Sequence, residues 1–546
     1  MRKDVKSAIA DILKQERIEY VFGYTGGHIK AMWKAASDAK IKLILNRQEG
    51  NAVYMADGYS RLTKRPSVIL ATTGSGVTNM VTGLASALLD SIPLVAIGAG
   101  VATNAVGKNA VQEGSGRGQT TEQRLIFKAS CKQAMSAPSP EAVPDMAREA
   151  FRLAMSGRPG PVYLEIPSDF WDKEIEYERI AEEKYKNTHI PQCNPEDSQK
   201  IINSLYKAKH PFIIIGEGAE EEGIEKKLSG FLNELQIPFA VSPMAKNYID
   251  EYHPLYLGVP RSGGKKQKVY EYMRKSDFIF FLGDRMQEWE MNGYDKTLIK
   301  NAKLAQVEPD YSEIGRVFPV DFSAVGSVSS FICQVEVKEH NQANKLKKEV
   351  SELSKEFPRL KRYEDGDGIN PFNINNIIEE FADKEATIVC DTGYNKSMAI
   401  MKFRTKPSQK FIVADKNGPM GYSVPAALGA ALKTRKEVIC FVGDGGFQMT
   451  LNELGTAMEY GLKVIYVIQN NSGCQMIVNG NIRSYGSPCA DTFKNPDYVK
   501  LAECYGLKGY KAETTEEFEK IFKEAQKDKC SVIIDAKVDQ SKMVWE

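Results

Sequence analysis

The sequence predicts an α/β fold of three doubly wound domains with mainly parallel sheets. Short β-branched runs alternate with longer stretches of helical periodicity almost throughout the chain. Before residue 170 these runs are YVFG, KLIL, SVIL, PLVAIG and PVYLEI, and each ends in or beside small polar residues. Because open α/β sheets bind ligands at the carboxyl ends of their strands, we expect the functional site at these loops.

Length and composition limit the classes of function. The 546 residues are enough for three or four domains. Lys and Arg number 72 and Asp and Glu 71, so the net charge of +1 gives no attraction for nucleic acid. No apolar run approaches the ~20 residues that span a bilayer, no export signal is visible, and the cysteines form no CxxC pair. We expect a soluble, cytoplasmic protein with reduced thiols that binds neither nucleic acid nor membrane.

Two polar stretches divide the chain. Residues Glu174 to Asp197 lack a strand-like run and are predicted to be a linker. Residues Lys338 to Gly368 are rich in Lys and Glu and are predicted to form a surface helix and a second linker. The predicted domains are therefore residues 1–175, 190–340 and 365–546.

The segment from Glu437 to Asn471 predicts a strand–helix–strand unit. Its first strand, Val438 to Val442, ends at a Gly-Asp-Gly turn, and its second, Val464 to Ile468, is followed by two asparagines. The helix between them is predicted from apolar residues at helical spacing, which are Phe447, Leu451, Leu454, Ala457 and Met458.

A crossover of this kind makes the two strands parallel, so Asp444 and Asn471 are expected at the same sheet edge. Carboxylate and amide oxygens suit Mg²⁺, which fills the rest of its shell with phosphate and water. The helix N-terminus after Gly445 attracts the same anion. A Gly-Asp-Gly triplet alone also suits a tight turn, but together with the asparagine pair it predicts a metal and diphosphate site.

This pattern resembles the diphosphate and Mg²⁺ motif of thiamine diphosphate enzymes. The resemblance implies Asp444 and Asn471 as side-chain metal ligands, with the carbonyl of Gly473 as the third protein ligand. It also implies cofactor contacts from their neighbours, which are Gly443, Gly445, Gly446, Cys474 and Met476.

The N-terminal domain carries a second element of that family. The segment ILNRQEGNAVYMADGYSRLT resembles the family signature E-x-x-A-x-x-x-A-x-G-Y-x-R. The resemblance implies that Glu49 contacts the aminopyrimidine ring of the cofactor and acts in general base catalysis relayed through it. The alternative is a Glu that only caps a helix. Further cofactor contacts are implied for Gly26, Gly27, Thr73, Gly74 and Asn79.

A third element is NGPMGYSVPAALGAAL, residues 417–432, which resembles the family segment beneath the cofactor. It implies that Met420 holds the two cofactor rings and that Gly418 lies beside them, although a Met in such a turn is often only filler. The segment CDTGYNKS resembles a loop on the diphosphate side, with Gly393 and Asn395 as its contacts.

Over essentially its whole length the chain resembles the acetolactate (acetohydroxyacid) synthase catalytic chain. The similar segments include VFGYTGG, GKNAVQEG and GDGGFQMTLNELGTAMEYGL. Gln112 falls on the Gln of the family's FQE triplet, with Val111 in place of its Phe, and Gln112 or the amides of the TGG turn are expected to meet substrate. The resemblance implies a homodimer, or a homotetramer built as a dimer of dimers, in which Glu49 of one chain works with Asp444 of another.

Departures from the family concern the substrate. Gly480 stands where the synthases carry a Trp that helps to select 2-ketobutyrate, and the chain ends soon after its last predicted strand, so a more open pocket is expected. Simple pyruvate decarboxylases carry an adjacent His pair and a Glu where this chain has Ile477, and here no two His are adjacent. His28 is a candidate proton donor to an acceptor carbonyl, or a half-exposed histidine without a catalytic role.

We therefore expect a carboligase that takes pyruvate or a related 2-oxo acid as donor and a carbonyl compound, such as a keto sugar, as acceptor. One alternative is a non-oxidative decarboxylase that releases an aldehyde. Another, from a different class, is a flavin- or nucleotide-binding protein with a vestigial thiamine site.

The central segment FIIIGEGAEEEG superficially suggests a dinucleotide site. Its glycines do not follow GxGxxG, and the acidic run Glu220–Glu222 would repel a pyrophosphate. The resemblance permits FAD here or no group at all, and FAD is not favoured. Arg285 is the residue most similar to a flavin contact in the family.

Overall fold

The computed structural model describes residues 1–186, 191–221, 223–262, 267–355 and 360–542. Within these ranges the strands form three larger parallel sheets and one two-stranded antiparallel sheet, and helices cover the larger sheets. The prediction of an α/β fold with doubly wound, mainly parallel sheets is confirmed. Within the same ranges, no helix combines the length and apolarity needed to cross a membrane.

The N-terminal sheet has the strand order β3-β2-β4-β5-β7-β6, with all neighbours parallel. Strand β5 is buried along its whole length, as expected for a parallel strand covered on both faces. The elements are β1 (Arg2–Asp4), α1 (Val5–Gln15), β2 (Tyr20–Gly23), α2 (Lys30–Asp38), β3 (Lys42–Leu45), α3 (Glu49–Thr63), β4 (Ser67–Ala71), α4 (Ser75–Thr78), α5 (Val81–Asp90), β5 (Leu94–Gly100), α6 (Gln123–Ser130), β6 (Gln133–Ser136), α7 (Val143–Met155), β7 (Val162–Pro167) and β8 (Glu174–Glu176).

The central sheet has the order β10-β9-β11-β12-β13 and is also parallel. Its strands β9 and β11, PFIII and FIFFL, are fully buried. The elements are α8 (Pro195–Lys207), β9 (Pro211–Ile215), α9 (Ile224–Leu235), β10 (Phe239–Val241), α10 (Lys268–Lys275), β11 (Phe278–Leu282), β12 (Lys303–Glu308), β13 (Phe322–Val325), α11 (Val328–Gln334) and α12 (Ala343–Lys355).

The C-terminal sheet has the order β15-β14-β16-β17-β19-β18, again parallel. The elements are α13 (Pro371–Phe381), β14 (Thr387–Cys390), α14 (Tyr394–Lys402), β15 (Lys410–Val413), α15 (Ser423–Lys433), β16 (Val438–Gly443), α16 (Asp444–Thr450), α17 (Leu454–Tyr460), β17 (Ile465–Asn470), α18 (Gln475–Tyr485), α19 (Tyr498–Cys504), β18 (Lys508–Ala512), α20 (Thr515–Ala525) and β19 (Val532–Lys537).

The structure corrects two predictions about local elements. The predicted linker 174–197 begins with β8, which pairs antiparallel with β1, and it ends inside α8. Strand β8 also crosses the predicted domain limit at residue 175. The single helix predicted after Gly-Asp-Gly is divided into α16, a 3₁₀ turn at Leu451–Glu453 and α17, and Met458 is 56% exposed instead of buried. The exact domain limits stay a prediction, and residues 190 and 543–546 lie outside the described residues.

Helices α3 and α15 join the N-terminal and C-terminal domains through close backbone contact. A Cβ built on Gly58 would lie 2.3 Å from the carbonyl oxygen of Ala426, and one built on Gly429 would lie 2.0 Å from that of Met55. Glycine is therefore required on both helices, because any side chain there would separate them. The main hydrophobic cluster runs through all three domains, and a second cluster covers the other face of the N-terminal sheet.

Candidate active site

Strands β16 and β17 bring the predicted metal ligands to one sheet edge. Gly443 pairs with Gln469 in parallel register, so Asp444 and Asn471 leave the sheet at the same end. Asp444 is 1% exposed and accepts the backbone N–H of Gly445 at 2.9 Å. Backbone N–H groups of Ser472 and Gly473 also donate to its carboxylate, and the N–H of Gly473 donates to Asn471 Oδ1 at 3.2 Å. The structure thus brings the two loops together as the sequence predicts.

Asn495 is a residue of this site that sequence reasoning missed. Its Nδ2 donates to Asp444 Oδ2 and to Asn470 Oδ1, both at 2.7 Å, and its Oδ1 accepts from Gln448 Nε2 at 2.8 Å. Burial raises the pKa of Asp444, and the hydrogen bond from Asn495 opposes that rise. No local motif identifies Asn495, which lies 51 residues beyond Asp444.

The chain after α18 returns to cover the asparagine loop. The N–H of Cys474 donates to Asp491 O at 2.8 Å, and the N–H of Phe493 donates to Ser472 O at 3.0 Å. Burial and then the charges of Asp444 and Asp491 raise the pKa of the Cys474 thiol. Gly473 is needed here because a Cβ would lie 2.8 Å from Asp491 O. Met476 is half-buried and packs against the main hydrophobic cluster.

Asp391 is a second residue that sequence reasoning missed, although its place directly after β14 was a usable signal. It is fully buried and accepts the N–H of Thr392 at 2.9 Å, that of Gly421 at 3.0 Å, and both the N–H and hydroxyl of Ser423 at 2.9 Å. Burial raises its pKa, and these hydrogen bonds oppose the rise. Asp391 therefore ties the 392–395 loop to the segment that carries Met420.

Glycines leave a space between these loops. A Cβ on Gly445 would lie 3.3 Å from Met420 Cε, and one on Gly446 would lie 2.7 Å from Asp391 Oδ1. Gly393 and Gly418 have φ angles of 128° and 56°, which favour glycine. Among the described residues, a Cβ on Gly443 would have one atom within 4 Å, Asn395 Oδ1 at 3.8 Å.

Asn395 is 4% exposed, and its Nδ2 donates to Asp391 O at 2.9 Å and to Phe441 O at 3.3 Å. The hydroxyl of Thr392 is buried, and no described residue forms a hydrogen bond with it. It lies 3.4 Å from the point where a Cβ of Gly418 would be. An unpaired buried hydroxyl, hard oxygen donors and glycine-lined space fit a diphosphate held with a hard cation.

The N-terminal domain presents Glu49 as the first residue of α3, 8% exposed. Its Oε2 accepts from Asn79 Nδ2 at 2.9 Å, and its Oε1 lies 3.1 Å from the point where a Cβ of Gly76 would be. The side chain of Gln48, which accepts the N–H of Asn51 at 3.0 Å, caps the helix. The alternative interpretation of Glu49 as the cap is therefore wrong.

The Thr73–Gly74 loop is held by Gln123, which sequence reasoning also missed. Gln123 Oε1 accepts from Thr73 Oγ1 at 3.1 Å and from the N–H of Gly74 at 3.2 Å. Thr73 Oγ1 also lies 3.2 Å from the carbonyl oxygen of Gln112, and a Cβ on Gly74 would lie 2.8 Å from the same oxygen. The side chain of Gln112 is exposed and reaches Ser75 Oγ at 3.5 Å.

The TGG turn lies next to this loop. A Cβ on Gly26 would lie 2.5 Å from Thr72 Cβ, whereas Gly27 faces open space. His28 is half-buried, and its carbonyl oxygen accepts from Trp171 Nε1 at 2.8 Å. The Nδ1 atom of His28 is buried and has no hydrogen-bond partner among the described residues.

Comparison with known protein families decides the identity of the fold. Three family models match the chain: the thiamine pyrophosphate enzyme N-terminal TPP binding domain over residues 3–119, the central domain over 198–335 and the C-terminal TPP binding domain over 391–536. The chain belongs to the thiamine pyrophosphate enzyme family.

Curated relatives cover nearly the whole chain. A probable acetolactate synthase large subunit of Methanococcus aeolicus is 31% identical over 98% of this chain and 92% of that protein. Acetolactate synthase large subunits of Haemophilus influenzae and Lactococcus lactis are each 29% identical, over 98% and 92% of this chain and 95% and 87% of their own lengths. The prediction of a thiamine diphosphate-dependent, acetolactate synthase-like enzyme of the carbon–carbon bond-forming kind is confirmed.

Within one chain of this thiamine diphosphate enzyme, Glu49 lies at the end of α3 that is remote from the start of α15. The contacts Met55 with Gly429 and Gly58 with Ala426 show that α3 and α15 run in opposite directions. At 1.5 Å per residue, Glu49 lies about 13 Å from Gly58 along α3, on the side away from the start of α15. Among the described residues, no recorded hydrogen bond or ion pair joins Glu49 to Asp444.

The carboxyl edge of the central sheet is lined with carboxylates. Arg285, predicted as the residue most similar to a flavin contact, is buried and donates from Nε to Glu217 at 3.0 Å. A Cβ on Gly218 would lie 2.7 Å from Glu308 Oε2. Burial raises the pKa of Asp284 to about 7 and that of Glu308 to about 8. The lining of this edge is therefore acidic, and Arg285 is held by Glu217.

Proposed function

We propose that this enzyme is a carboligase that takes pyruvate or a related 2-oxo acid as donor, releases carbon dioxide and transfers the remaining two-carbon unit to a carbonyl acceptor. The observation that supports this proposal is that the predicted groups are all present: Glu49 is buried at the N-terminus of α3, and Asp444 lies beside Asn471 and Gly473. The similarity to acetolactate synthase large subunits along the whole chain supports the same class of reaction.

We assign Asp444, Asn471 and the carbonyl of Gly473 as ligands of Mg²⁺, which in turn holds the diphosphate. The backbone N–H groups at the start of α16 and the Thr392 hydroxyl are the nearby donors that suit phosphate oxygens. We assign the remaining contacts to the glycines of the same loops and to their neighbours, which are Gly393, Asn395, Gly418, Gly443, Gly445, Gly446, Cys474 and Met476.

When bound, thiamine diphosphate supplies the electron sink on which a 2-oxo acid loses carbon dioxide. Glu49 is assigned the exchange of a proton between its carboxyl group and the aminopyrimidine ring. Asn79 fixes Oε2 of this carboxyl group, which keeps the side chain in one orientation. Met420 supports the rings from the other side, and Gly26, Gly27, Thr73 and Gly74 supply the loops beside them.

Gln112 and His28 are assigned to the substrates. The amide of Gln112 is exposed near the Gly74 loop and can donate to a carboxylate. His28 is half-buried beside the TGG turn, and its ring is assigned the donation of a proton to the acceptor oxygen.

A homodimer, alone or within a homotetramer, completes the site. Within one chain, Glu49 lies at the end of α3 that is remote from the start of α15, and therefore from Met420. We infer that Glu49 of one chain meets Asp444 of a second chain, so a monomer lacks activity.

The acceptor is inferred to be larger than pyruvate, such as a keto sugar. Gly480 in α18 faces open space, with no atom within 4 Å of its Cβ position among the described residues. Ile477 on the same helix is 55% exposed and supplies no proton for aldehyde release. A Gly480→Trp variant is expected to lose activity towards larger acceptors and to retain activity with pyruvate alone.

The first test incubates the protein with thiamine diphosphate, Mg²⁺ and pyruvate alone, then measures pyruvate loss and identifies the products. Acetolactate would identify pyruvate as both donor and acceptor. Little pyruvate loss, reversed by adding a keto sugar, would support the larger acceptor. Acetaldehyde as the main product would contradict a carboligase and support a decarboxylase.

The second test uses Glu49→Gln, with the exposed Glu141→Gln as matched control. Because the neutral amide cannot exchange a proton as a carboxyl group does, turnover is expected to fall about 100-fold or more while thiamine diphosphate binding persists. Full activity in Glu49→Gln would contradict the mechanism. Failure of the unmodified protein to bind thiamine diphosphate with Mg²⁺ would instead indicate a vestigial site.

A further inference from the structure

Three carboxylates meet at the carboxyl edge of the central sheet, away from the proposed thiamine site. Glu217 follows β9, Asp284 follows β11, and Glu290 lies in the loop beyond. One oxygen of each lies within 4.8 Å of the others, and the three residues are 6%, 1% and 2% exposed. Burying three acidic groups together is costly unless a positive charge or protons compensate them.

Among the described residues, the ion pairs that Arg285 and Lys416 form with this cluster are to one acid, Glu217. Asp284 Oδ1 accepts the N–H of Met286 at 2.8 Å, which is a neutral donor.

Glu290 likewise receives the neutral amide of Gln287. The other nearby cations are held by other acids, since Arg158 pairs with Glu313 at 3.2 Å and Arg261 pairs with Asp415 at 2.6 Å.

Two buried carboxylate oxygens at this edge have no hydrogen-bond donor in the part of the chain that the structure describes. Asp284 Oδ2 has no hydrogen-bond partner among the described residues, and the same holds for Oε2 of the adjacent Glu308, which is 2% exposed. With Glu308 included, four carboxylates face the two cations that bond to Glu217. A divalent ion bound here would compensate the acids that lack a cation of their own.

We propose that Glu217, Asp284 and Glu290 form a site for a hard divalent cation. Three oxygens within 4.8 Å of one another lie at most about 2.8 Å from a common centre, so side-chain shifts of a few tenths of an ångström bring them to the roughly 2.3–2.6 Å at which oxygen ligands bind Ca²⁺. The donors are all oxygens, which suits Mg²⁺, Mn²⁺ or Ca²⁺ rather than a softer metal.

The ion would stabilise the junction of the domains. Gln287, which contacts Glu290, also donates to Asp415 Oδ2 at 3.2 Å, and Lys416 pairs with Glu217. Asp415 and Lys416 begin the segment that carries Met420. The ion would therefore support that segment from the central domain.

The test measures Mn²⁺ content in the holoenzyme with thiamine diphosphate, after gel filtration at micromolar free Mn²⁺. Two ions per chain are expected in the unmodified protein, and one in Asp284→Asn or Glu290→Gln. The control Glu313→Gln changes a buried acid outside the cluster and should retain two. One ion per chain that is unaffected by Asp284→Asn or Glu290→Gln would overturn the proposal.

Two further measurements keep this test independent of folding defects and of the proposed function. Anomalous scattering from Mn²⁺-soaked crystals of the unmodified protein is expected to show a peak among the three carboxylates, and no peak there would overturn the proposal. In Asp444→Asn the cluster ion should remain. If the thiamine site held no metal, the unmodified protein would carry one ion, lost in Asp284→Asn and retained in Asp444→Asn.

Discussion

Replacing Asn495 by Ala tests whether the hydrogen bonds around Asp444 support metal binding. The substitution removes the two 2.7 Å bonds that Asn495 Nδ2 makes to Asp444 and Asn470, together with the bonds that its Oδ1 accepts from Gln448 and Tyr498. It leaves the proposed ligands Asp444 and Asn471 unchanged. Any loss of metal affinity would therefore arise from their orientation and charge.

The expected magnitude follows from the two bonds that Asn495 Nδ2 donates. A hydrogen bond to a carboxylate contributes about 1.5–3 kcal/mol and a neutral hydrogen bond about 1 kcal/mol. The variant lacks these bonds with and without metal, so only part of this energy affects metal affinity. Losing a group that orients a ligand typically weakens metal binding 10- to 100-fold, which is about 1.4–2.7 kcal/mol. We expect the Mg²⁺ concentration for half-maximal activity to rise by this factor.

The assay titrates Mg²⁺ at saturating thiamine diphosphate, with Lys494→Ala as a control at an exposed neighbour. Asn495 lowers the pKa of Asp444, so its removal raises that pKa and should move the acid limb of Mg²⁺ binding to higher pH. An unchanged Mg²⁺ requirement together with an unchanged acid limb would refute the reasoning. A general loss of stability alone would not move the acid limb.

Three further predictions concern packing, loop positioning and the acceptor. Gly58→Ala should lower the thermal unfolding midpoint by about 2–6 °C, because its Cβ would lie 2.3 Å from a backbone oxygen of α15. The control Gly230→Ala has open space at its Cβ position and should raise the midpoint slightly. Equal midpoints for the two variants would contradict this prediction. Asp391→Asn should weaken thiamine diphosphate binding at least tenfold, measured by equilibrium titration, because an amide would place N–H against the donors of Ser423; unchanged affinity would contradict it. Gly480→Trp should lower the ratio of keto-sugar to pyruvate acceptor use in competition assays, and an unchanged ratio would show that the open side of α18 does not face the acceptor.

Local patterns predicted the parts of the fold and site that are close together in sequence. The βαβ unit around Asp444 could be predicted because its strands are buried and apolar and its turn is rich in glycine. Glu49 could be placed at a helix start for the same kind of reason. The edge strands β6, β8 and β13 were missed because they have three or four residues and mixed polarity.

Residues that act over long sequence separations could not be predicted in this way. Asn495 meets Asp444 across 51 residues, and Gln123 meets Thr73 across 50. The break after α16 has a similar cause, because it places the buried carboxylate of Glu453 against the backbone N–H of Arg47, 406 residues away. Helical periodicity contains no information about such a partner.

The segment carrying Met420 illustrates how the domains determine the site. The N–H groups of Asp415 and Lys416 both donate to Asp90, at the end of α5 in the N-terminal domain, at 3.1 Å. The side chain of Lys416 pairs with Glu217 of the central domain. Moving the segment would leave buried charges unpaired, at a cost of several kcal/mol. The local sequence around Met420 thus indicates its ligand class by resemblance, but buried charges from two other domains hold it in place.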